Sequence, residues 1–173
     1  MTVYSSPLID RAFAFATAAH SAVGQVRKYD GAPYIVHPQR VADIVASHGG
    51  SDDQIAAAYL HDVVEDTQVD NDTIRNVFGN VIADLVSDLT DVSVASDGNR
   101  ATRKAIDKDH TLNGSIDAQF VKLADILDNS QDIRANDPSF WKVYQKEMLA
   151  LLDGMTDCTM FPLYAKALDS VKR

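Results

Sequence analysis

The chain has 173 residues, with 16 basic and 25 acidic side chains and a formal net charge of −9. This length fits a single domain over residues 1–173 with a sizeable core, and the 46% hydrophobic and 24% charged fractions exclude a disordered or low-complexity chain. No run approaches the ~18 apolar residues of a membrane span, and the first residues lack the basic and apolar regions of a secretory signal. We therefore expect a globular, cytoplasmic protein, since its one cysteine, Cys158, cannot form an internal disulfide.

The acidic balance also restricts the partners. A net charge of −9 repels phosphate backbones, so a nucleic-acid binder needs a concentrated basic patch. The basic clusters are short: Arg27 with Lys28, and Arg100 with Arg103 and Lys104. They are too small for a duplex and fit one polyphosphorylated small molecule. We expect a small-molecule partner and no nucleic acid, while a solvated loop and a solvated helix face remain the alternatives for the two clusters.

Hydrophobic spacing predicts helices along the whole chain, and no stretch shows the sustained period-two alternation of a strand. The predicted helices cover residues 11–22, 38–48, 52–65, 71–78, 81–89, 100–110, 116–127, 138–151 and 160–171. Ser51, with Gln54 three residues later, predicts a capping box before the third helix, and residues 24–31 and 93–98 are predicted loops. The predicted fold class is therefore all-α.

The most informative feature lies in the helix predicted over residues 52–65. It is nearly all apolar up to Leu60, which is typical of a central, buried helix, yet it ends in His61, Asp62, Glu65 and Asp66. Residues three and four apart share a helix face, so these four lie on one sector. Imidazole and carboxylate ligands suit Mn, Fe, Zn or a similar divalent ion, and the further carboxylates can orient or deprotonate a water. The alternative is a solvated acidic helix end with a chance histidine, although acidic groups there oppose the helix dipole.

Two ligands do not complete a metal site, and His37 and Asp125 are the natural additions. His37 precedes Pro38 at a predicted loop-to-helix junction. Asp125 interrupts an apolar helix, where an ionised carboxylate is costly unless it is paired or bound to a metal. The alternative for Asp125 is an ion pair with Lys122, three residues earlier on the same helix, and the sequence leaves both interpretations open.

These motifs resemble the HD-domain hydrolases of the Rel/SpoT class, and most of all their single-domain members, the small alarmone hydrolases that degrade (p)ppGpp. The matching segments are Arg27-Lys28, Pro33 to Pro38, Leu60 to Thr67, Phe78-Gly79, Leu89-Thr90, Val121 to Asp125, and Asn129. The resemblance implies an HD-domain helical bundle with a buried metal site. It also implies hydrolysis of the 3′-pyrophosphate of guanosine (p)ppGpp to GDP or GTP and pyrophosphate.

The same resemblance implies a role for each candidate residue. The four ligands of a single Mn²⁺ correspond to His37, His61, Asp62 and Asp125. The pair that positions or activates the attacking water corresponds to Glu65 and Asp66. The basic pair against the base and the phosphates corresponds to Arg27 and Lys28, and Asn129 matches a pocket residue near the metal and the nucleotide.

Departures from the family pattern leave the substrate open. Ile126 and Asp128 stand where the family usually has Arg and often His or Tyr, and the spacing from His20 to Gln25 is longer than usual. A carboxylate at position 128 that faced the pocket would repel a highly charged substrate. Two other functions therefore stand beside the first: a phosphohydrolase of an adenine alarmone (ppApp) or of the NADPH 2′-phosphate, and a non-catalytic alarmone-binding HD domain. His20 is expected to pack or support the site rather than to bind the metal.

Overall fold

The computed structural model describes residues 6–173, which form ten α-helices. The helices are α1 (Pro7–Ala22), α2 (Val36–Ser47), α3 (Asp52–Leu60), α4 (Val63–Asp66), α5 (Asn71–Phe78), α6 (Asn80–Leu89), α7 (Arg100–Asn113), α8 (Ile116–Asn136), α9 (Pro138–Gly154) and α10 (Pro162–Lys172). Extended pairing within residues 6–173 amounts to a single antiparallel bridge between Val26 and Pro33. The all-α prediction is confirmed for this part of the chain.

The chain divides into two compact units, residues 1–90 and 91–173. In the first unit α3 is the central helix, and it packs against α1, α2 and α6. Its residues from Ile55 to Leu60 are all buried, because the short alanine side chains at 56–58 let neighbouring helices approach closely. The predicted capping box is present: Ser51 Oγ accepts from the Gln54 amide at 3.2 Å, and Gln54 Oε1 accepts from the Ser51 amide at 2.8 Å.

The prediction of one continuous helix over residues 52–65 is wrong. Helix α3 ends at Leu60 and α4 begins at Val63; His61 keeps helical backbone angles, and the departure from them is at Asp62. Asp62 has φ −96° and ψ −4°, a sparsely populated region in which many active-site residues lie. Nδ1 of the His61 ring donates a hydrogen bond to the carbonyl oxygen of Ala58 at 2.8 Å. In a continuous helix this oxygen would accept from the Asp62 amide instead. Side-chain competition for a backbone acceptor therefore accompanies the break.

Other predicted boundaries shift by a few residues. The first helix begins at Pro7 rather than at residue 11, because Ser6 Oγ accepts from the Ile9 amide and proline suits the first helical position. The second begins at Val36, so Pro38 stands third in the helix, still within the first turn, where no amide is needed. The helix predicted over residues 116–127 is α8 and extends to Asn136, and the last helix begins at Pro162 rather than at residue 160.

In the second unit α8 is the long central helix, and it packs against α9 and α10. Its start is capped by Ser115, whose Oγ accepts from the Ala118 amide at 3.3 Å, as the sequence predicts. Leu123, Ala124 and Ile126 are fully buried on it. Within residues 6–173 no helix combines the length and the apolar character that a membrane crossing needs.

Candidate metal centre

Three predicted ligands meet in the first unit. His37 lies in the first turn of α2, and His61 and Asp62 form the break between α3 and α4. One ligand atom from each of the three lies within 4.8 Å of the others. Both histidines are buried and Asp62 is partly exposed. The break in the helix therefore places the His-Asp pair opposite the start of α2 and leaves one side of the group accessible.

Hydrogen bonding fixes which nitrogen of His61 points into this group. Nδ1 lies 2.8 Å from the Ala58 carbonyl oxygen, and because a carbonyl oxygen only accepts, Nδ1 carries the proton. Nε2 then faces Asp62, 3.2 Å from its Oδ2 atom. A histidine that donates one ring N–H to a backbone carbonyl and presents the other nitrogen is the usual form of a metal ligand.

The Oδ2 atom of Asp62 is the centre of the group. It lies 3.2 Å from Nε2 of His61 and 3.6 Å from Nε2 of His37. The hydroxyl of Tyr34 donates to the same oxygen at 2.6 Å. Two imidazole nitrogens and one carboxylate oxygen therefore meet at this point. Two nitrogen donors and one oxygen donor form a mixed set that suits a divalent transition ion.

Asp125, the fourth predicted ligand, belongs to the second unit. It lies on α8 with 5% of its surface exposed, and Lys122 Nζ is 2.8 Å from its Oδ2. Asn129, one turn further on, donates to its Oδ1 at 2.6 Å. The ion pair that the sequence allowed as an alternative is therefore formed, and the role of Asp125 as a ligand stays a prediction.

The two carboxylates predicted to act on water lie on the short helix α4, and both are exposed. Asp66 Oδ2 accepts a hydrogen bond of 2.8 Å from the side-chain amide of Gln25. Gln25 in turn lies 2.6 Å from Nδ1 of the buried His20. Burial lowers the pKa of His20 below its ordinary value, against the opposing effect of the bond to Gln25. Gln25 therefore links the buried His20 to an exposed carboxylate of α4, and the supporting role of His20 stays a prediction.

The basic pair Arg27-Lys28 lies in the predicted loop between α1 and α2. The loop closes through the Arg27 amide, which donates to the Ala32 carbonyl at 2.8 Å, and the Gly31 amide, which donates to the Arg27 carbonyl at 3.0 Å. Arg27 is only 7% exposed, so it is not the solvated loop charge that the sequence offered as its alternative. Lys28 is exposed, with Nζ 4.8 Å from the centroid of the Tyr29 ring.

Two members of the second basic cluster, Arg100 and Lys104, form local ion pairs. Arg100 donates to both carboxylate oxygens of Glu147 at 2.8 Å. Lys104 contacts the carboxylates of Asp91 and Asp107. These contacts give α7 a structural use for both charges.

The two departures from the family pattern are both buried on α8. Ile126 is fully buried, and Asp128 is 6% exposed. Asp128 and Asp125 both act on Tyr144 of α9, whose pKa is raised above its ordinary value, first by burial and then by these negative charges. The carboxylate at position 128 therefore lies among the packed side chains of the second unit.

Sequence reasoning gave no role to Tyr34 or Gln25. Tyr34 lies 28 residues from Asp62 in the chain, and Gln25 lies 41 residues from Asp66. Both precede α2, in the segment that also carries Arg27 and Lys28 and leads to His37 in the first turn of α2. The clustering of polar side chains in this segment was a signal of function, but helical periodicity cannot pair Tyr34 with Asp62 or Gln25 with Asp66.

Comparisons with known proteins agree with this geometry. The HD domain family model matches residues 12–152. The guanosine-3′,5′-bis(diphosphate) 3′-pyrophosphohydrolase MESH1 of Xenopus tropicalis is 36% identical over 138 residues, which cover 78% of this chain and 74% of that protein. The corresponding protein of Mus musculus is 36% identical over 131 residues, or 74% and 72% of the two chains. A probable guanosine-3′,5′-bis(diphosphate) 3′-pyrophosphohydrolase of Synechocystis is 37% identical over 134 residues, and the chain spans only 17% of its length.

A solved structure described as a metazoan ortholog of SpoT that hydrolyses ppGpp superimposes with a TM-score of 0.83 at 26% identity, covering 98% of this chain and 96% of that one. A Listeria monocytogenes structure superimposes with a TM-score of 0.68, also at 26% identity, covering 81% and 96%. The family match extends over most of the chain, and the identities with MESH1 proteins hold over about three quarters of it. This chain belongs to the HD-domain family.

Proposed function

We propose that this protein is a metal-dependent hydrolase that removes the 3′-pyrophosphate of guanosine 3′,5′-bis(diphosphate). The observation that carries the proposal is the group formed by His37, His61 and Asp62, whose ligand atoms lie within 4.8 Å of one another. It occurs in a chain whose relatives from frog and mouse are named for this reaction. The reaction consumes water and gives GDP and pyrophosphate from ppGpp, or GTP and pyrophosphate from pppGpp.

The ion we propose is Mn²⁺, bound by His37, His61 and Asp62 with Asp125 as the fourth ligand. Such an ion, when bound, polarises a phosphoryl oxygen and lowers the pKa of water toward ~7. Three hydrogen bonds orient the proposed ligands. The Ala58 carbonyl fixes the tautomer of His61, the Tyr34 hydroxyl orients Asp62, and the Asn129 amide orients Asp125. Partners of this kind typically raise metal affinity by about 10–100-fold.

The exposed carboxylates of α4 are proposed to act on the attacking water. Water oxygen bonds to the phosphorus next to the ribose, the bond from this phosphorus to the 3′ oxygen breaks, and the 3′ oxygen takes up a proton. Glu65 and Asp66 hold the water in line and accept the proton that it loses. A general base within hydrogen-bond reach commonly contributes about 10²–10⁴-fold to the rate.

The substrate's negative charge requires cations near it, and Arg27 and Lys28 are the proposed source. A guanidinium can stack on a planar base and pair with phosphate, and the low exposure of Arg27 gives it a defined position in its loop. Asn129 is proposed to lie near the nucleotide as well as to orient Asp125. We also propose that residues 1–173 act as one domain, since the family match crosses both compact units, and that the protein works in the cytoplasm.

The test is product analysis with purified protein that has been stripped by a chelator and then supplied with Mn²⁺. ppGpp, ppApp and NADPH are assayed side by side, each with the wild type and with a variant carrying Glu65→Ala and Asp66→Ala. We expect ppGpp to be turned over fastest, with pyrophosphate and GDP as products. The double variant should lose at least about 100-fold in rate.

The rival outcomes are distinct. Faster release of phosphate from NADPH, or faster turnover of ppApp, moves the function to another nucleotide and overturns the guanine specificity. Binding of ppGpp without any product indicates a non-catalytic alarmone-binding domain. Wild-type rates in the double variant contradict the proposed roles of Glu65 and Asp66.

A further inference from the structure

Gln25 joins a buried histidine to an exposed carboxylate of the candidate site. Its Oε1 atom lies 2.6 Å from Nδ1 of His20, and its Nε2 atom donates to Asp66 Oδ2 at 2.8 Å. The backbone of Gln25 is fixed as well, since its amide donates to the His20 carbonyl at 3.1 Å and its carbonyl accepts from the Tyr34 amide at 3.3 Å. The side-chain amide therefore has a defined position between two elements of the first unit.

The direction of these hydrogen bonds follows from the chemistry of the groups. An ionised carboxylate only accepts, so the NH₂ group of Gln25 faces Asp66 and its oxygen faces His20. His20 must then donate from Nδ1. Among residues 6–173 the Nε2 atom of His20 makes no hydrogen bond, so the bond from Nδ1 to Gln25 is what fixes the orientation of the ring. The imidazole is 1% exposed, with its centroid 4.7 Å from that of Tyr34.

We infer that His20 and Gln25 are positioning residues that hold Asp66 in one orientation for its action on water; this rests on the proposed function. Asp66 is exposed on a helix of only four residues, and an exposed side chain without a partner samples several rotamers. The buried histidine prevents the amide of Gln25 from turning over, because a flipped amide would place its NH₂ against the Nδ1–H group. A base that is misplaced by about 1 Å can cost about 10²-fold in rate.

The alternative is that Gln25 merely ties its loop to α4 and supports the fold. The two ideas differ in what a substitution changes. A purely structural tie affects the melting temperature, whereas a positioning role affects kcat and leaves KM nearly unchanged. A positioning role also requires the effect to pass through Asp66.

The experiment measures ppGpp hydrolysis in a double-mutant cycle with Gln25→Ala and Asp66→Ala. We expect Gln25→Ala to lower kcat about tenfold with KM within about twofold, and to have no further effect in the Asp66→Ala background. Gln68→Ala is the matched control, since Gln68 is an exposed glutamine two residues after Asp66, and it should retain wild-type kcat.

The histidine is tested by a conservative and a disruptive change. His20→Asn keeps an N–H donor near the position of Nδ1 and should retain most of kcat, whereas His20→Leu should resemble Gln25→Ala. The NMR signals of the Gln25 side-chain amide give a readout without turnover: they should shift in Asp66→Ala and not in Gln68→Ala.

The outcomes separate the two proposals. A wild type that leaves ppGpp intact overturns the proposed function, while the amide signals still decide whether Gln25 binds Asp66. An active wild type with unchanged kcat in Gln25→Ala, or with an equal loss in both backgrounds, overturns the positioning role. The positioning role is also overturned if the NMR signals of the Gln25 side-chain amide do not shift in Asp66→Ala.

Discussion

Asp62 in the first unit and Asp107 in the second are carboxylates with opposite surroundings. Asp107 is buried at the middle of α7 and meets donors: Oδ1 accepts from the amides of Val92 at 3.1 Å and Ser93 at 2.9 Å, and Oδ2 accepts from the Ser93 hydroxyl at 2.9 Å and lies 3.3 Å from Lys104 Nζ. Burial opposes its charge, but the bonds from Ser93 and the charge of Lys104 outweigh burial and lower the pKa of Asp107. This carboxylate is satisfied by the protein itself.

Asp62 instead faces two ring nitrogens, Nε2 of His61 at 3.2 Å and Nε2 of His37 at 3.6 Å, and it accepts a hydrogen bond from the Tyr34 hydroxyl. Nε2 of His61 presents a lone pair, because Nδ1 carries the proton and donates a hydrogen bond to the Ala58 carbonyl oxygen. The difference teaches how to tell a structural carboxylate from a metal ligand. Donors that surround a carboxylate indicate a structural role, whereas one carboxylate that meets two imidazole nitrogens forms the donor set of a divalent metal ion.

The largest effect should come from His61→Ala. Removal of a nitrogen donor should abolish stable metal binding and lower ppGpp hydrolysis by more than about 100-fold, since even partners of ligands are worth about 10–100-fold. Metal content after dialysis and steady-state rates measure this. His48→Ala is the control, because Nδ1 of His48 contacts the Ile44 carbonyl at 2.7 Å and the Ser47 hydroxyl at 3.2 Å at the end of α2. Full metal occupancy in His61→Ala would refute the assignment.

Asp125→Asn sharpens the comparison, because this carboxylate has a donor on each oxygen and is also a predicted ligand. If Asp125 is a ligand, Asp125→Asn should lower the metal affinity of the protein by about 10–100-fold. Lys122→Met is the matched variant, since it removes the ion pair of 2.8 Å and keeps the carboxylate. Metal titration of both variants decides the question. Equal metal affinities in Asp125→Asn and wild type would show that Asp125 is not a metal ligand.

Asp107→Asn should act on stability and not on metal binding. The amide places an NH₂ group against donors, which should lower the free energy of unfolding by about 1.5–3 kcal/mol. The folded pKa of Asp107 is below the ordinary 3.8, so its contribution is present above pH 3.8 and is lost as the pH falls through the folded pKa. Urea unfolding of both proteins at neutral and at acid pH measures this. A loss of metal affinity in Asp107→Asn as large as that in Asp125→Asn would contradict the distinction between structural and ligand carboxylates.

The smallest effect should come from Tyr34→Phe. It deletes the hydroxyl that donates to Asp62 Oδ2 at 2.6 Å and leaves the ring against His20 and His37. We expect metal affinity to fall about tenfold, with little change in melting temperature. Calorimetric titration with Mn²⁺ measures the affinity. An unchanged affinity would mean that the hydroxyl does not orient the ligand.

Local patterns in the sequence predicted much of this arrangement. The apolar run before His61 indicated a buried helix, and the capping box at Ser51 was read from two residues. Helical spacing placed His61, Asp62, Glu65 and Asp66 near one another. It could not show the break at the His-Asp pair, which is accompanied by a side-chain hydrogen bond to the Ala58 carbonyl.

Contacts between distant segments were beyond the sequence patterns. The bonds from Tyr34 to Asp62 and from Gln25 to Asp66 link a loop to a helix end, and no periodicity encodes such a pairing. For Asp125 the sequence proposed a ligand and an ion pair as alternatives. The structure forms the ion pair with Lys122, which leaves the role as a ligand for experiment.

The most direct measurement is anomalous scattering from crystals grown with Mn²⁺, with ppGpp hydrolysis measured on the same preparation. The account predicts one strong peak about 2.0–2.3 Å from Nε2 of His37, Nε2 of His61 and a carboxylate oxygen of Asp62. It also predicts that removal of the ion by a chelator abolishes turnover and that Mn²⁺ restores it. Full activity in metal-free protein, or a peak away from these three residues, would contradict it.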